Sequence, residues 1–148
     1  MRQFPNSRNV LVTLLGIGVL LSAPVAAEVT VEDAWARATP PGARTGAVYL
    51  TLNNDGPADA LIGARTAVAE RAELHTHLHA DGMMRMEPVA SITVPSEGSA
   101  VLKPHGDHLM LVGLRQALVA GETVAIELEF ESGATHAMNV SVRDARQR

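Results

Sequence analysis

The chain of 148 residues contains no cysteine at all. Small proteins of oxidising compartments often depend on disulfides. A chain without cysteine must rely on a packed core instead. A blue-copper electron-transfer centre requires a cysteine thiolate as a ligand, and that class of metal protein is therefore excluded. Any site for a soft metal ion has to be built from methionine thioethers and histidine imidazoles.

The chain also lacks an apolar run long enough to be a typical membrane-spanning helix. Its N-terminal run covers 10–21, whereas a spanning helix needs about 20 apolar residues. Two arginines precede the run, small residues follow it, and Val25 and Ala27 stand at the −3 and −1 positions of a cleavage site. This pattern is typical of a signal peptide. We therefore predict a cleaved signal over 1–27, a periplasmic domain over 28–148, and no stable membrane insertion.

The predicted mature domain has no excess of positive charge. It carries 10 basic and 16 acidic side chains, because both arginines of the signal segment are removed and no acid is, giving a net charge of −6. Nucleic-acid binding rewards clustered lysine and arginine, so we expect no nucleic-acid partner.

No segment of the predicted domain shows a convincing helical period. Apolar or β-branched runs instead recur at short intervals, at 29–35, 47–52, 60–68, 73–79, 83–89, 91–94, 100–102, 108–111, 123–130 and 136–142. Sequences rich in Pro, Gly, Asn and Asp separate many of these runs, as expected of turns. Strands of this length, with turns about every 8 to 12 residues, are typical of a β-sandwich or small barrel. The sequence predicts one all-β domain.

Most of the histidines and methionines lie between residues 75 and 110. This segment holds five of the six histidines and four of the six methionines. Strand residues two apart share a face of the sheet. Three groups are therefore expected to project together: His75, His77 and His79; Met84 and Met86; His108 and Met110.

A predicted hairpin brings the first two groups together. Asp81-Gly82 is a strong signal for a two-residue turn with positive φ at both positions. With that turn, His77 lies opposite Met86 and His75 lies diagonal to it; a turn two positions earlier keeps every face and moves His75 nearer to Met86. In either register, imidazole and thioether groups can converge on one ion. The third group must come from another strand or its entry loop.

The ligand types indicate which metal is bound. Thioether sulfur is soft and uncharged and suits Cu(I), whereas zinc sites favour Cys, His and carboxylate, and calcium and magnesium require clusters of oxygen. A neutral site without thiolate also resists disulfide formation and suits transfer of the ion to a stronger thiolate acceptor. We predict a Cu(I) site formed by His75, Met86, His108 and Met110.

Four further residues are secondary candidates for metal binding, each with an alternative. His77 is hypothesised to be a ligand because the turn sets it opposite Met86. Met84 either joins the site or packs against its neighbours, as methionine in a strand commonly does. His136 and Met138 repeat the His-x-Met spacing, and they either pack in the sheet or form a second, weaker copper site.

The remaining residues match no catalytic scheme. No Ser/His/Asp order, paired carboxylates or phosphate-binding glycine loop stands in a recognisable context. Four protein ligands would also leave no open position on the metal for a substrate. We therefore expect a binding protein rather than an enzyme.

The same residues carry a family resemblance. The chain resembles periplasmic copper chaperones of the PCuAC type, whose pattern is His, ten residues, Met, twenty-one residues, His-x-Met. The four predicted ligands match that pattern without a gap. The resemblance extends over essentially all of the predicted domain, including 34–37, 47–50, 84–89 and 102–114.

The resemblance implies a cupredoxin-like β-sandwich or barrel and a metallochaperone function. It implies that copper passes toward the CuA centre of cytochrome c oxidase, with the oxidase CuA subunit or a Sco-type protein as acceptor. Copper buffering or tolerance without a dedicated acceptor is the alternative function, and a structural β-domain is a third. Two positions depart from the family: His77 stands where relatives often carry Met, and His105 where they commonly carry Gly. These extra imidazoles either extend the site toward Cu(II) or lie on its rim.

Overall fold

The computed structural model describes residues 29–144 and 146. The predicted signal peptide lies outside these residues. The described residues form ten strands and no helix, so none that could span a membrane. The strands are β1 (Val29–Arg37), β2 (Thr45–Asn54), β3 (Asp59–Arg65), β4 (Ala69–Ala80), β5 (Met83–Pro88), β6 (Ile92–Val94), β7 (Gly98–Leu102), β8 (His108–Leu114), β9 (Thr123–Phe130) and β10 (Thr135–Arg143).

Seven of the strands close into a barrel. Their order is β4-β8-β2-β1-β10-β9-β3, and the ring closes where Ala64 of β3 pairs with Ala72 of β4. The β1–β10 pairing is parallel and the others are antiparallel. The other three strands extend from this ring, β5 from β4, β6 from β3 and β7 from β2. The prediction of one all-β sandwich or barrel domain is confirmed, and every predicted run coincides with a strand.

Alternation along the strands fills the barrel with aliphatic side chains. On β9, Val124, Ile126, Leu128 and Phe130 are buried, as their period of two predicts. Burial of a Leu or Val side chain contributes about 1.5–3 kcal/mol. A core of more than twenty such buried apolar residues replaces the disulfides that the chain lacks.

The same alternation positions the metal-binding candidates. Leu74 of β4 pairs with Leu109 of β8, and both are buried in the core. Because successive side chains point to opposite faces, His75 and His108 project from the other face of the same two strands.

The β4–β5 hairpin has the predicted turn. Asp81 has φ 52° and Gly82 has φ 74°, the positive values that a type I′ turn requires and that the Asp-Gly pair tolerates. Ala80 therefore pairs with Met83, and His77 with Met86, as predicted. The alternative register, with the turn two positions earlier, is wrong because it would place the positive φ values at residues less suited to them.

A tight loop at 103–107 connects β7 to β8. Both strands pair with β2, so the chain leaves β2 at the end of β7 and returns to it at the start of β8. The Lys103 N–H donates to the Asp107 carbonyl at 2.8 Å, and the Gly106 N–H donates to the Lys103 carbonyl at 3.0 Å. His105, at the centre of the loop, has φ 65°. The loop directs the Gly106 carbonyl toward the histidines of β4 and β8.

Candidate metal centre

The barrel brings three of the four predicted ligands together from three strands. His75 of β4 pairs directly with His108 of β8, and their ring centroids are 5.8 Å apart. Met86 reaches the same place from β5, where it pairs with His77. The pairing of β8 with β4 identifies the further strand that the sequence required but left unspecified.

Met86 and His108 are in direct contact. The Met86 sulfur lies 3.1 Å from Nε2 of His108. His108 is only 3 % exposed, whereas Met86 is 45 % exposed. The contact therefore joins a buried imidazole to a thioether that solvent or another protein can reach.

The protonation of His108 leaves Nε2 available as a ligand atom. Its Nδ1 lies 3.0 Å from the Gly106 carbonyl, which can only accept a hydrogen bond, so Nδ1–H is the donor. Burial lowers the pKa of His108, and the neighbouring His77 and His75 add to this effect against the opposing hydrogen bond to Gly106. The ring is therefore neutral at pH 7, with the Nε2 lone pair directed at the Met86 sulfur. Two electron-pair donors facing each other fit a metal ion that accepts from both.

His75 is oriented in the same way by a different partner. Its Nε2 lies 3.0 Å from the Glu73 carboxylate, and hydrogen bonds from His75 and Arg71 lower the pKa of Glu73. Because the ionised carboxylate accepts, Nε2–H donates, and Nδ1 is the ring nitrogen that can carry a free lone pair. That Nδ1 is buried and has no hydrogen-bond partner within the described residues. A buried acceptor without a partner fits a metal ligand, whose other ring nitrogen is usually anchored by a carboxylate or carbonyl.

Met110, the fourth predicted ligand, lies on the same β4–β8 ladder. It pairs with Glu73, two positions along the β4–β8 ladder from the His75–His108 pair. It shares the face of β8 that carries His108, and a diagonal neighbour such as His75 is about 7–8 Å away between Cβ atoms. A methionine side chain is long enough to reach across that distance.

His77 is part of the cluster, and Met84 lies at its edge. The His77 ring centroid is 5.1 Å from that of His108, and its Nδ1 lies 3.1 Å from the Gly106 carbonyl. Met84 pairs with His79, two positions nearer the hairpin turn than the His77–Met86 pair, and both are exposed.

His136 and Met138 lie elsewhere in the barrel. They pair with Leu128 and Ile126 of β9, two core residues, and Met138 packs against the core. Two strands separate β10 from β8 in one direction around the barrel, and two separate it from β4 in the other. The structure therefore does not bring this pair to the cluster, and its placement supports the packing interpretation.

Two aromatic rings cover the side of His108 away from β4. Tyr49 of β2 has its ring centroid 6.4 Å from that of His108, and Trp35 of β1 lies 4.7 Å beyond it. Burial raises the pKa of Tyr49, with Arg37 opposing. Tyr49 is buried, whereas Met86 is 45 % exposed, so the cluster is accessible from the side formed by β5.

Sequence reasoning missed two groups that orient the histidines. Glu73 stands two residues before His75, so the strand period of two places it on the same face and would have identified it. The Gly106 carbonyl is a backbone group, and no side-chain pattern indicates its direction. Across 29–144, no three His, Asp or Glu side chains are arranged to hold a metal ion by themselves. The arrangement instead combines imidazoles with thioether sulfur.

Comparisons with known proteins identify the family of the chain. The sequence profile of the LpqE-like family, described as "Putative lipoprotein LpqE-like", matches residues 29–142. A protein of Leifsonia xyli subsp. xyli (strain CTCB07) named "Putative lipoprotein Lxx21020" is 31 % identical over 118 residues, which cover 78 % of this chain and 70 % of that protein.

Solved structures show the same fold. The solution structure of CuI-DR1885 from Deinococcus radiodurans is 39 % identical, covers 76 % of each chain and superposes with a TM-score of 0.62. The copper-bound PCuAC domain from PmoF2 is 21 % identical, with a TM-score of 0.66 over 78 % of this chain and 92 % of that domain. The match over residues 29–142 shows that the chain belongs to the LpqE-like family of PCuAC-type domains, as its sequence predicted.

Proposed function

We propose that this protein is a periplasmic metallochaperone that binds one Cu(I) ion through His75, Met86, His108 and Met110 and hands it to an acceptor protein. The observation that carries the proposal is the 3.1 Å contact between Nε2 of His108 and the Met86 sulfur. Thioether and imidazole together form the soft, neutral ligand set that suits Cu(I). The relative CuI-DR1885, 39 % identical, is named for that ion.

His108 is buried whereas Met86 is exposed, and this difference supports transfer of the ion rather than permanent storage. Hydrogen bonds to the Gly106 carbonyl and the Glu73 carboxylate hold His108 and His75 in place. Met86 lies on β5, a strand that pairs only along its β4 edge within the described residues. An acceptor that approaches β5 would meet the exposed thioether first and displace it while the imidazoles still hold the ion.

An anaerobic titration with Cu(I), in competition with a Cu(I) chelator of known affinity, tests the binding step. The wild type should bind one equivalent. The variants His75→Ala, Met86→Leu, His108→Gln and Met110→Leu should each bind at least tenfold more weakly. A matched control is Met83→Leu, because Met83 is also an exposed methionine of β5 and lies three residues from Met86. Equal weakening in this control would overturn the ligand assignment.

Delivery is tested with the loaded protein and a candidate acceptor. We propose that copper passes toward the CuA centre of cytochrome c oxidase, directly to the CuA subunit or through a Sco-type protein. Deletion of the gene should then reduce CuA loading when copper is scarce. Sensitivity to high copper with normal CuA loading would instead indicate buffering. Turnover of dioxygen by the copper-loaded protein would contradict a role restricted to binding.

A further inference from the structure

One backbone carbonyl orients two histidines from different strands. The Gly106 carbonyl accepts a hydrogen bond from Nδ1 of His108 at 3.0 Å and from Nδ1 of His77 at 3.1 Å. A carbonyl oxygen has two lone pairs and accepts both. Nε2 is consequently the nitrogen of each ring that can carry a free lone pair. The orientation of His77 is therefore the one that metal-binding histidines commonly have.

A second imidazole lies on the outward side of His77. The His105 ring is exposed, and its centroid is 6.0 Å from that of His77. An ion bound about 2.0–2.1 Å from each nitrogen fits between rings at this separation. His105 is held there by a left-handed backbone, φ 65°, which costs free energy in any residue except glycine.

We propose that His77 and His105 form a second metal subsite that takes Cu(II), with solvent completing its coordination. Imidazole nitrogen with water oxygen is a ligand set that Cu(II) accepts in tetragonal geometry, and Cu(II) is the strongest binder among the first-row divalent ions. The two imidazoles supply the protein ligands, and water supplies the remaining ones. The subsite uses none of the four proposed Cu(I) ligands, so it goes beyond the function proposed above.

The two subsites are adjacent but chemically different. His77, a ligand of the outer subsite, has its ring centroid 5.1 Å from that of His108 in the inner site. Its centroid is 6.0 Å from that of His105, the other outer ligand. The inner site offers thioether sulfur, and the outer one offers nitrogen and solvent. One loop thus supplies the Gly106 carbonyl that orients His108 for the inner site and His77 for the outer one, together with the outer ligand His105.

The test separates the two sites with Ag(I), a soft ion of the same charge as Cu(I) that is not readily oxidised. The purified protein is loaded with one equivalent of Ag(I) and then titrated with Cu(II) alone while the electron paramagnetic resonance spectrum is recorded. We expect one equivalent of Cu(II) to bind with nitrogen hyperfine coupling. His77→Ala and His105→Ala should each weaken this binding at least tenfold. The matched control is His79→Ala, two residues from His77 on the same strand face.

The outcomes are distinguishable from failure of the Cu(I) site. Full Cu(II) affinity in His105→Ala, an exposed position whose substitution preserves the core, would overturn the subsite. Loss of Cu(II) binding on Ag(I) loading would also overturn it, because both ions would then share one centre. Stoichiometric Cu(I) binding by His105→Ala would leave the proposed function intact in either case. If the wild type did not bind Cu(I) but still bound one equivalent of Cu(II), the proposed Cu(I) chaperone function would be overturned. The Cu(II) subsite would stand.

Discussion

Glu73 and His75, two residues apart on one face of β4, are joined by a hydrogen bond of 3.0 Å from Nε2–H to the carboxylate. The other ring nitrogen, Nδ1, is buried and has no hydrogen-bond partner within the described residues. In the proposed Cu(I) site, the carboxylate would orient a ligand without being a ligand itself.

Removing the charge of Glu73 should weaken copper binding through the orientation of His75. Groups that anchor a metal-binding histidine typically change metal affinity by about 10–100-fold, and we expect a loss in that range for Glu73→Gln in a Cu(I) competition titration. Arg71→Gln is the matched control, because Arg71 contacts the other carboxylate oxygen at 3.0 Å. If both variants lose affinity equally, charge rather than orientation is responsible.

Copper binding should weaken in acid because protons compete for the imidazoles. The ordinary histidine pKa is about 6.5, and burial lowers the pKa of His108, so His108 should remain a ligand to lower pH than an exposed histidine. The thioethers do not titrate, and partial Cu(I) binding should therefore survive at pH 5. Chelator competition between about pH 8 and 5 measures this dependence. An affinity independent of pH over that range would mean that the histidines are not ligands.

The same pKa shift predicts the acid stability of the metal-free protein. Because the folded state binds the His108 proton less readily than the unfolded state, this stabilising contribution is present above about pH 6.5 and is lost as pH falls through the lower folded pKa. The variant His108→Gln should show a flatter pH dependence of its free energy of unfolding in that window. Urea titrations of both proteins without metal provide the comparison, and parallel curves would contradict the expectation.

The strand pattern and the hairpin were predictable because both depend on local sequence. Asp81-Gly82 determined the register, and the register placed His77 opposite Met86. The pairing of His75 with His108 was not predictable, because 32 intervening residues form a hairpin and two further strands before the chain returns to β4. Barrel closure through Ala64 and Ala72 likewise depends on long-range packing.

The direction of the Gly106 carbonyl was also beyond sequence reasoning. It follows from the backbone of a short loop whose ends are fixed by pairing of β7 and β8 with one strand, β2. The His-x-Met spacing at His136 and Met138 shows the opposite case. The same pattern that gives the proposed ligands of β8 their shared face places Met138 against the core on β10, because the face of a strand depends on its neighbours.

Asp59 should stabilise the fold without affecting copper. Burial alone would raise its pKa, but hydrogen bonds from the Ser132 hydroxyl and from the N–H groups of Ala60 and Ser132 lower it. Asp59→Asn turns an amide N–H₂ toward these donors and should cost about 1–3 kcal/mol at pH 7. The stabilisation is present above about pH 3.9 and is lost as pH falls through the folded pKa. The difference in free energy of unfolding between wild type and variant, measured in urea, should therefore decrease as pH falls below about 3.9.

Ser132→Ala is the matched control for that experiment. It removes one donor while the two backbone N–H groups remain, so it should cost less than Asp59→Asn. Both variants should bind Cu(I) as the wild type does, since Asp59 lies on β3 and contacts none of the proposed ligands. A change of affinity in either would contradict the separation of the two regions.

His105→Gly should make the metal-free protein more stable while it removes an outer ligand. The backbone of His105 has φ 65°, a conformation that costs an L-residue about 1–2 kcal/mol. Glycine avoids this cost, but part of the gain is offset because glycine loses more conformational entropy on folding. We expect a net gain of about 0.5–1 kcal/mol in urea unfolding. His105→Ala keeps the backbone cost, so it should show no comparable gain, although it loses the same imidazole. Equal stability of the two variants would mean that the loop carries no strain at this position.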